Sequence, residues 1–232
     1  MKPKEVIALL EAHKNERGIA NWEKMNTNGQ KLKSFGIGLT HLRKLAKQIG
    51  RDHDLARELW ESEYYDAKII SLLIDEPKKI TPEQAEKQVE QLEGGYLAHV
   101  FSSCDATLAK TSFTKEIADK WMMSEDPVRR RCGFGLLYEM SKSKKRSAPD
   151  DEYFLAQIKH IEQSFDDEPI SLKMAMGGAL QGIGMRNLKL NKAALKVARK
   201  MGPIDFDERG KCDPFNVAKN LTSDYAKKKF GI

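Results

Sequence analysis

The chain has 232 residues, of which 40% are hydrophobic, 32% charged and 8% aromatic, with a formal net charge of +6. That apolar fraction builds a core, but the charge density and a mean hydropathy of −0.59 call for much surface per residue and argue against a compact sphere or a membrane-embedded protein. The excess of cations favours an acidic partner, nucleic acid before an anionic membrane surface, although mild basicity is also common among soluble proteins.

The periodicity is helical almost throughout, with few alternating β-branched runs. Pro3 fits the first turn of a helix that ends near His13, with Val6, Ile7, Leu9 and Leu10 on its apolar side. A second helix covers Ile19 to Met25, and Asn26-Thr27-Asn28-Gly29 has turn chemistry. Thr40 is a plausible N-cap for a helix from Leu42 to Ile49, stopped by Gly50. Asp52 or Asp54 opens the next, which carries Leu55, Leu59 and Trp60, and Ala67 to Ile74 pairs with it. Thr81-Pro82 is a strong start for a helix to about Leu92. Tyr96 to Ala109 reads as one helix, Thr114 to Met123 as the next, and Pro127 to about Met140 as the one after. The stretch 141–149 is polar and cationic and reads as an exposed loop. Helices then follow from Asp150 to Ser164, from Pro169 to Met185 and from Asn191 to Met201. A C-terminal extension, 202–232, is irregular until Pro214 starts a final helix ending in Lys227-Lys228-Lys229.

One unit recurs. Glu63, Glu125 and Glu168 each open an acidic turn before an apolar helix, and a cation follows five positions later as Lys68, Arg130 and Lys173. Glu93 fits the same spacing but lacks the cation. Recurrence of this kind predicts stacked helix pairs, an α-solenoid folded as a single domain over 1–232, with successive helix starts along one edge. An edge carrying cations would be a binding surface.

The ordered combination of Phe35-Gly36-Ile37-Gly38, His41-Leu42-Arg43-Lys44-Leu45-Ala46-Lys47, Leu55-Ala56-Arg57-Glu58-Leu59-Trp60 and the acidic turn before Ala67-Lys68 resembles the AlkD-like DNA alkylation repair family, HEAT-like-repeat DNA glycosylases and their relatives. The likeness runs from about Pro3 to Lys200. It implies a curved all-α stack of HEAT-like repeats with a concave basic groove for duplex DNA, and hydrolysis of the N-glycosidic bond of N3- or N7-alkylated purines. The family's tryptophan-to-aspartate segment falls on Phe101-Ser102-Ser103-Cys104-Asp105, which makes Asp105 the catalytic carboxylate and Phe101 the aromatic wall. The family's arginine falls within Arg129-Arg130-Arg131. We favour Arg131, whereas the internal repeat favours Arg130. A second aromatic expected in the following repeat falls at Gly178.

That constellation has a chemical logic. An alkylated purine is a cationic leaving group, so cleavage builds positive charge on the sugar, which a fixed carboxylate such as Asp105 stabilises while it orients water. An arginine on a phosphate sets register on the duplex. Lys68, Arg129, Arg130 and Lys173 on the edge, with Lys142, Lys144, Lys145 and Arg146 in the loop, are the further DNA-binding candidates. Each residue also has a plainer role. Asp105 could cap or pair within its repeat, Phe101 has core spacing from Leu97 and Leu108, and the loop cations could simply solubilise. Two other functions fit the same stack: a non-catalytic relative that recognises bent or branched DNA, and a protein-interaction scaffold.

No metal or cofactor is expected. His13, His41, His53, His99 and His160 lack ligand spacing with the cysteines, and neither a P-loop nor a Rossmann glycine pattern occurs. Cys104, Cys132 and Cys212 read as reduced thiols of a cytoplasmic, monomeric protein that is nucleoid-associated when bound to DNA. Met1-Lys2-Pro3-Lys4 leads into an amphipathic helix without a secretory apolar region, and no membrane partner is expected.

Overall fold

The computed structural model describes residues 1–25, 32–92, 95–104, 106–146, 148–206 and 212–231. These residues are mostly helical, and the only β pairing among them is two isolated bridges. The chain divides into two compact units, 1–114 and 115–232.

The first unit holds α1 (Pro3–Ala12), α2 (Glu16–Met25), α3 (Leu39–Ile49), α4 (His53–Trp60), α5 (Tyr65–Ile74), α6 (Pro82–Glu90) and α7 (Gly95–Ser102), followed by a 3-10 turn at Leu108–Lys110. Helix α5 is its centre. Ile69, Ile70, Leu72 and Ile74 are buried on several faces, and α1, α3, α4 and α7 pack around it. A helix apolar on all sides must be enclosed by others. Its first turn carries Asp66, which is fully buried and accepts bonds from the backbone N–H groups of Phe35 (2.7 Å) and Ile37 (3.0 Å) and from the Ser34 hydroxyl (2.8 Å). The Phe35-Gly36-Ile37-Gly38 motif is therefore a loop tied down by one carboxylate. Gly36 adopts φ +69 there with backbone from residues 15 to 19 pressed against it, a place where only glycine fits.

The second unit holds α9 (Pro127–Lys142), α10 (Asp151–Ser164), α11 (Ile170–Gly184), α12 (Leu188–Met201), α13 (Val217–Leu221) and α14 (Asp224–Phe230), preceded by α8 (Thr114–Met122), which starts at the boundary. Helix α11 plays the central part, packing on α9, α10, α12 and α13. A Cβ on Gly184 would lie 2.7 Å from Leu221 and 2.9 Å from Ala194, so the glycine permits the close approach of α12 and α13.

Helix starts follow their caps. The side chains of Asp52, Thr81, Asp126, Asp150 and Asn187 each accept a backbone N–H of the first turn they precede. Several limits differ from expectation. Gly38, not Thr40, precedes α3. The helix expected over Tyr96 to Ala109 stops at Ser102. Helix α9 continues through Lys142, so the basic connection starts at Ser143, and Ser141 is buried. The single helix expected after Pro214 is instead α13 and α14, each with its own cap, Asn216 and Ser223. No helix of the described residues is long and apolar enough to cross a membrane.

Candidate nucleic-acid interface

The recurring cation has a common structural task. The last carbonyls of a helix lack intrahelical partners and carry partial negative charge. Lys68, near the start of α5, donates from Nζ to the carbonyl of Trp60, the last residue of α4, and lies 4.7 Å from the Trp60 ring centroid. Burial pushes its ammonium below the ordinary lysine range. Arg130 in α9 donates from Nη1 to the carbonyls of Ser124 and Glu125 (both 2.8 Å), just beyond α8, and from Nη2 to the Glu168 carboxylate (2.7 Å). Lys173 in α11 donates to the Asp166 carbonyl (2.8 Å), just beyond α10, and lies 5.3 Å from the Phe165 ring centroid. Each cation reaches back and closes the end of the helix before it. Lys68, Arg130 and Lys173, expected as a DNA-facing edge, thus each have a structural role within the stack, with a donor engaged by backbone.

The other residues singled out with the expected catalytic carboxylate each have a defined local setting. Phe101 is 1% exposed and its ring lies 6.1 Å from that of Trp60. It belongs to the core, as its spacing from Leu97 suggests, and is not an aromatic wall. Arg131 is half-buried, and burial pushes its guanidinium below the ordinary range. Arg129 is half-buried with Nε 3.9 Å from an Asp126 carboxylate oxygen. A Cβ on Gly178 would meet nothing within 4 Å among the described residues, so there is open space beside this glycine. Asp105 lies outside the described residues.

Positive charge collects elsewhere. In the second unit an open cleft lies among the C-terminal ends of α9 and α11 and the last two helices. Its lining includes Lys142, Lys144, Arg186 and Lys229, together with Tyr138 and Tyr225, and contains no acidic side chain among the described residues. Arg186 Nη1 donates to the carbonyls of Ser141 (2.6 Å) and Ser143 (2.9 Å), and the guanidinium stacks 4.4 Å from the Phe154 centroid. Lys229 donates to the Met185 carbonyl (2.6 Å). Both close helix ends while leaving their charge in the cleft. Lys142 pairs with Glu139 (2.7 Å) and covers the Tyr138 ring at 4.5 Å. Lys144, Lys145 and Arg146 are exposed in the connection after α9, and the Tyr225 side chain is 69% exposed. A cleft in the first unit, between α4 and α6, is the opposite case: Asp54, Glu58, Glu61 and Glu83 outnumber Arg57 and Lys87 in its lining. Only the first of these two clefts suits a phosphate chain. No cluster of metal-ligating side chains occurs among the described residues.

A family model described as "DNA alkylation repair enzyme" matches residues 6–227. The chain belongs to this family. Among curated proteins, this DNA alkylation repair family member is 27% identical to an uncharacterised protein of Listeria innocua and 25% identical to one of Listeria monocytogenes, each over 182 residues covering 75% of either chain. Among solved structures it matches, at a TM-score of 0.84 and 21% identity, a protein described as belonging to a new family related to the HEAT-like repeat DNA glycosylases with affinity for branched DNA structures. That match covers 100% of this chain and 97% of the other. The fold is thus all-helical and HEAT-like.

In this family member, the cleft unites Lys142, at the end of α9, and Lys144, in the connection after it, with two cations that sequence reasoning passes over. Lys229 is visible in the Lys227-Lys228-Lys229 run but reads there only as a match for its own helix dipole. Arg186 stands two residues after the end of the glycine-rich α11, and nothing in its local sequence marks it as part of a cationic cleft.

Proposed function

We propose that this DNA alkylation repair family member binds DNA through its sugar-phosphate backbone, using the acid-free cleft of the second unit and the adjoining Lys144, Lys145 and Arg146. The cleft's charge pattern carries the reading: among the described residues, four cations, no carboxylate and an exposed tyrosine line one concave surface. Phosphate contacts of this type supply affinity without reading sequence. Tyr225 suits a base freed from its stack, because every base offers a π-face to an aromatic ring. Branched or distorted DNA, which presents such bases, is therefore the preferred substrate, in keeping with the affinity described for the structural relative.

A second reading, hydrolysis of the N-glycosidic bond of N3- or N7-alkylated purines, is favoured by Asp105, which stands where the family's catalytic aspartate is expected. Two assays separate the readings. Binding to plain duplexes and to four-way junctions, measured across a salt series, should weaken steeply with salt, with the junction bound more tightly. Lys144→Glu/Lys145→Glu/Arg146→Glu should flatten the log–log slope by about 0.9 for each phosphate that is no longer neutralised. A flat salt response of the unmodified protein would remove the DNA-binding reading. Release of 7-methylguanine or 3-methyladenine from methylated DNA, abolished by Asp105→Asn with binding retained, would establish the enzyme. Binding without base release leaves the first reading alone.

A further inference from the structure

The acidic cleft of the first unit inverts the charge of a chain that is +6 overall. Its α4 wall is a stripe. Asp54 and Glu58 in the helix and Glu61 directly after it stand four and three residues apart, spacings that share one helix face. Asp54, Glu58 and Glu61 are all exposed. Facing them, α6 contributes Glu83, Gln84, Lys87 and Gln88. Lys87 Nζ lies 3.8 Å from Glu61 in a well-exposed pair, which holds the two walls together only weakly.

Charge alone names no ligand, but the glutamines do. Gln88 lines the cleft, is only 7% exposed, and its side chain makes no hydrogen bond to any described residue. A buried amide without a partner is costly, so it marks a place that an incoming group completes. The side-chain amide both donates and accepts, and its complement is another amide such as a peptide group. Gln84, one turn earlier on the same face, donates from Nε2 to Asp75 (2.8 Å), which leaves its carbonyl oxygen as an acceptor. Asp75 is itself buried and also accepts from His53 Nδ1 (2.7 Å). One buried carboxylate therefore orients two lining groups of the cleft, His53 and Gln84, before any ligand arrives.

The spacing selects an extended chain. Residues four apart on a helix, such as Gln84 and Gln88 or Asp54 and Glu58, are separated by a rise of about 6 Å. Alternate residues of an extended chain repeat at about 6.6–6.8 Å. A two-residue repeat thus keeps step with both walls.

We propose that the α4–α6 cleft docks an extended segment of a partner protein with lysine or arginine at every second position, its peptide groups on Gln84 and Gln88 and its cations on Asp54, Glu58 and Glu61. The site lies wholly in the first unit, and the proposal does not depend on DNA binding.

The experiment titrates the full chain into a rhodamine-labelled (Lys-Ser)4 peptide and follows fluorescence anisotropy. Binding should saturate, and unlabelled peptide should displace the probe at concentrations about tenfold or more below those needed for spermine, which matches its charge but has no peptide groups. Gln88→Leu should weaken binding by about tenfold or more, with the thermal midpoint unchanged or raised, because no hydrogen bond within the chain is lost. Asp54→Asn/Glu58→Gln, confined to exposed side chains, should weaken it by about threefold or more and tests the site without touching the core. Lys87→Ala removes a competing cation and should tighten binding by about two- to fivefold. Absence of saturable binding, spermine competing as well as the peptide, or an unchanged affinity in any of the three variants would overturn the proposal.

Discussion

Replacing Arg130 by methionine separates a structural cation from a DNA-binding one. The guanidinium makes two bonds to backbone carbonyls and one to Glu168, and the side chains of the pair are only 21% and 14% exposed. Arg130→Met keeps most of the aliphatic bulk but leaves Glu168 and two carbonyls without this donor. Breaking a buried pair by removing one partner costs about 3–5 kcal/mol. Residual solvent access on both sides lowers the expectation to roughly 2–4 kcal/mol. For a chain of this size that is a fall in Tm on the order of 5–15 °C. Urea denaturation followed by circular dichroism measures it directly. Arg130→Met/Glu168→Leu should recover part of the stability, because the orphaned carboxylate is gone, and the cycle should show a coupling of about 1–3 kcal/mol. DNA affinity of the folded variant should stay within about threefold, since removing a cation that grips phosphate would cost more than that. A destabilisation under ~1 kcal/mol, accompanied by a drop in DNA affinity, would refute the assignment and return Arg130 to the DNA interface.

Tyr225→Ala should weaken junction binding by about 1–3 kcal/mol in a titration, the value of one stacked base, and leave the thermal midpoint unchanged because the ring is exposed. Gly184→Ala should destabilise by about 1–3 kcal/mol in denaturant titrations, because its Cβ would press into Leu221 and Ala194. His160 provides a pH test. Burial holds its pKa below the ordinary 6.5, against the opposing pull of Glu168. Its contribution to stability is then complete above that value and is lost as pH falls through the depressed folded value, where the unfolded chain takes up the proton first. Thermal midpoints from pH 7.5 to pH 5 should fall less steeply in His160→Gln than in the unmodified chain, and parallel curves would exclude the effect.

Helix starts are the most readable part of the sequence, because the cap is a local event. Asp52, Thr81-Pro82, Pro127 and Asp150 act on the residues immediately after them, and the structure follows. Helix α7 shows what local reading misses. The apolar spacing runs on from Tyr96 to Ala109, but the hydroxyls of Ser102 and Ser103 bond back to the carbonyls of Ala98 and His99, and Cys104 adopts φ +57. Serine competing for helix carbonyls ends the helix where periodicity predicts that it continues. The C-terminal region departs from expectation for a tertiary reason, since Ile204 pairs with Phe215 and delays the next helix until Asn216 caps it. The cations of the candidate site are legible as a pattern but not as a role. A lysine or arginine five places after a glutamate has the same sequence whether it grips a phosphate or the carbonyl of the preceding helix, and only the packing of one helix against another decides.

The reach-back cations also make ionic strength a selective dial on this molecule. Lys68, Arg130, Lys173 and Arg186 work at van der Waals range in partly desolvated settings, where mobile ions screen little. Lys144, Lys145 and Arg146 stand in solvent, within reach of the ionic atmosphere. Added salt should therefore detach nucleic acid long before it loosens the helices, and sequence drift in that short connection can retune the partner without disturbing the stack that carries it.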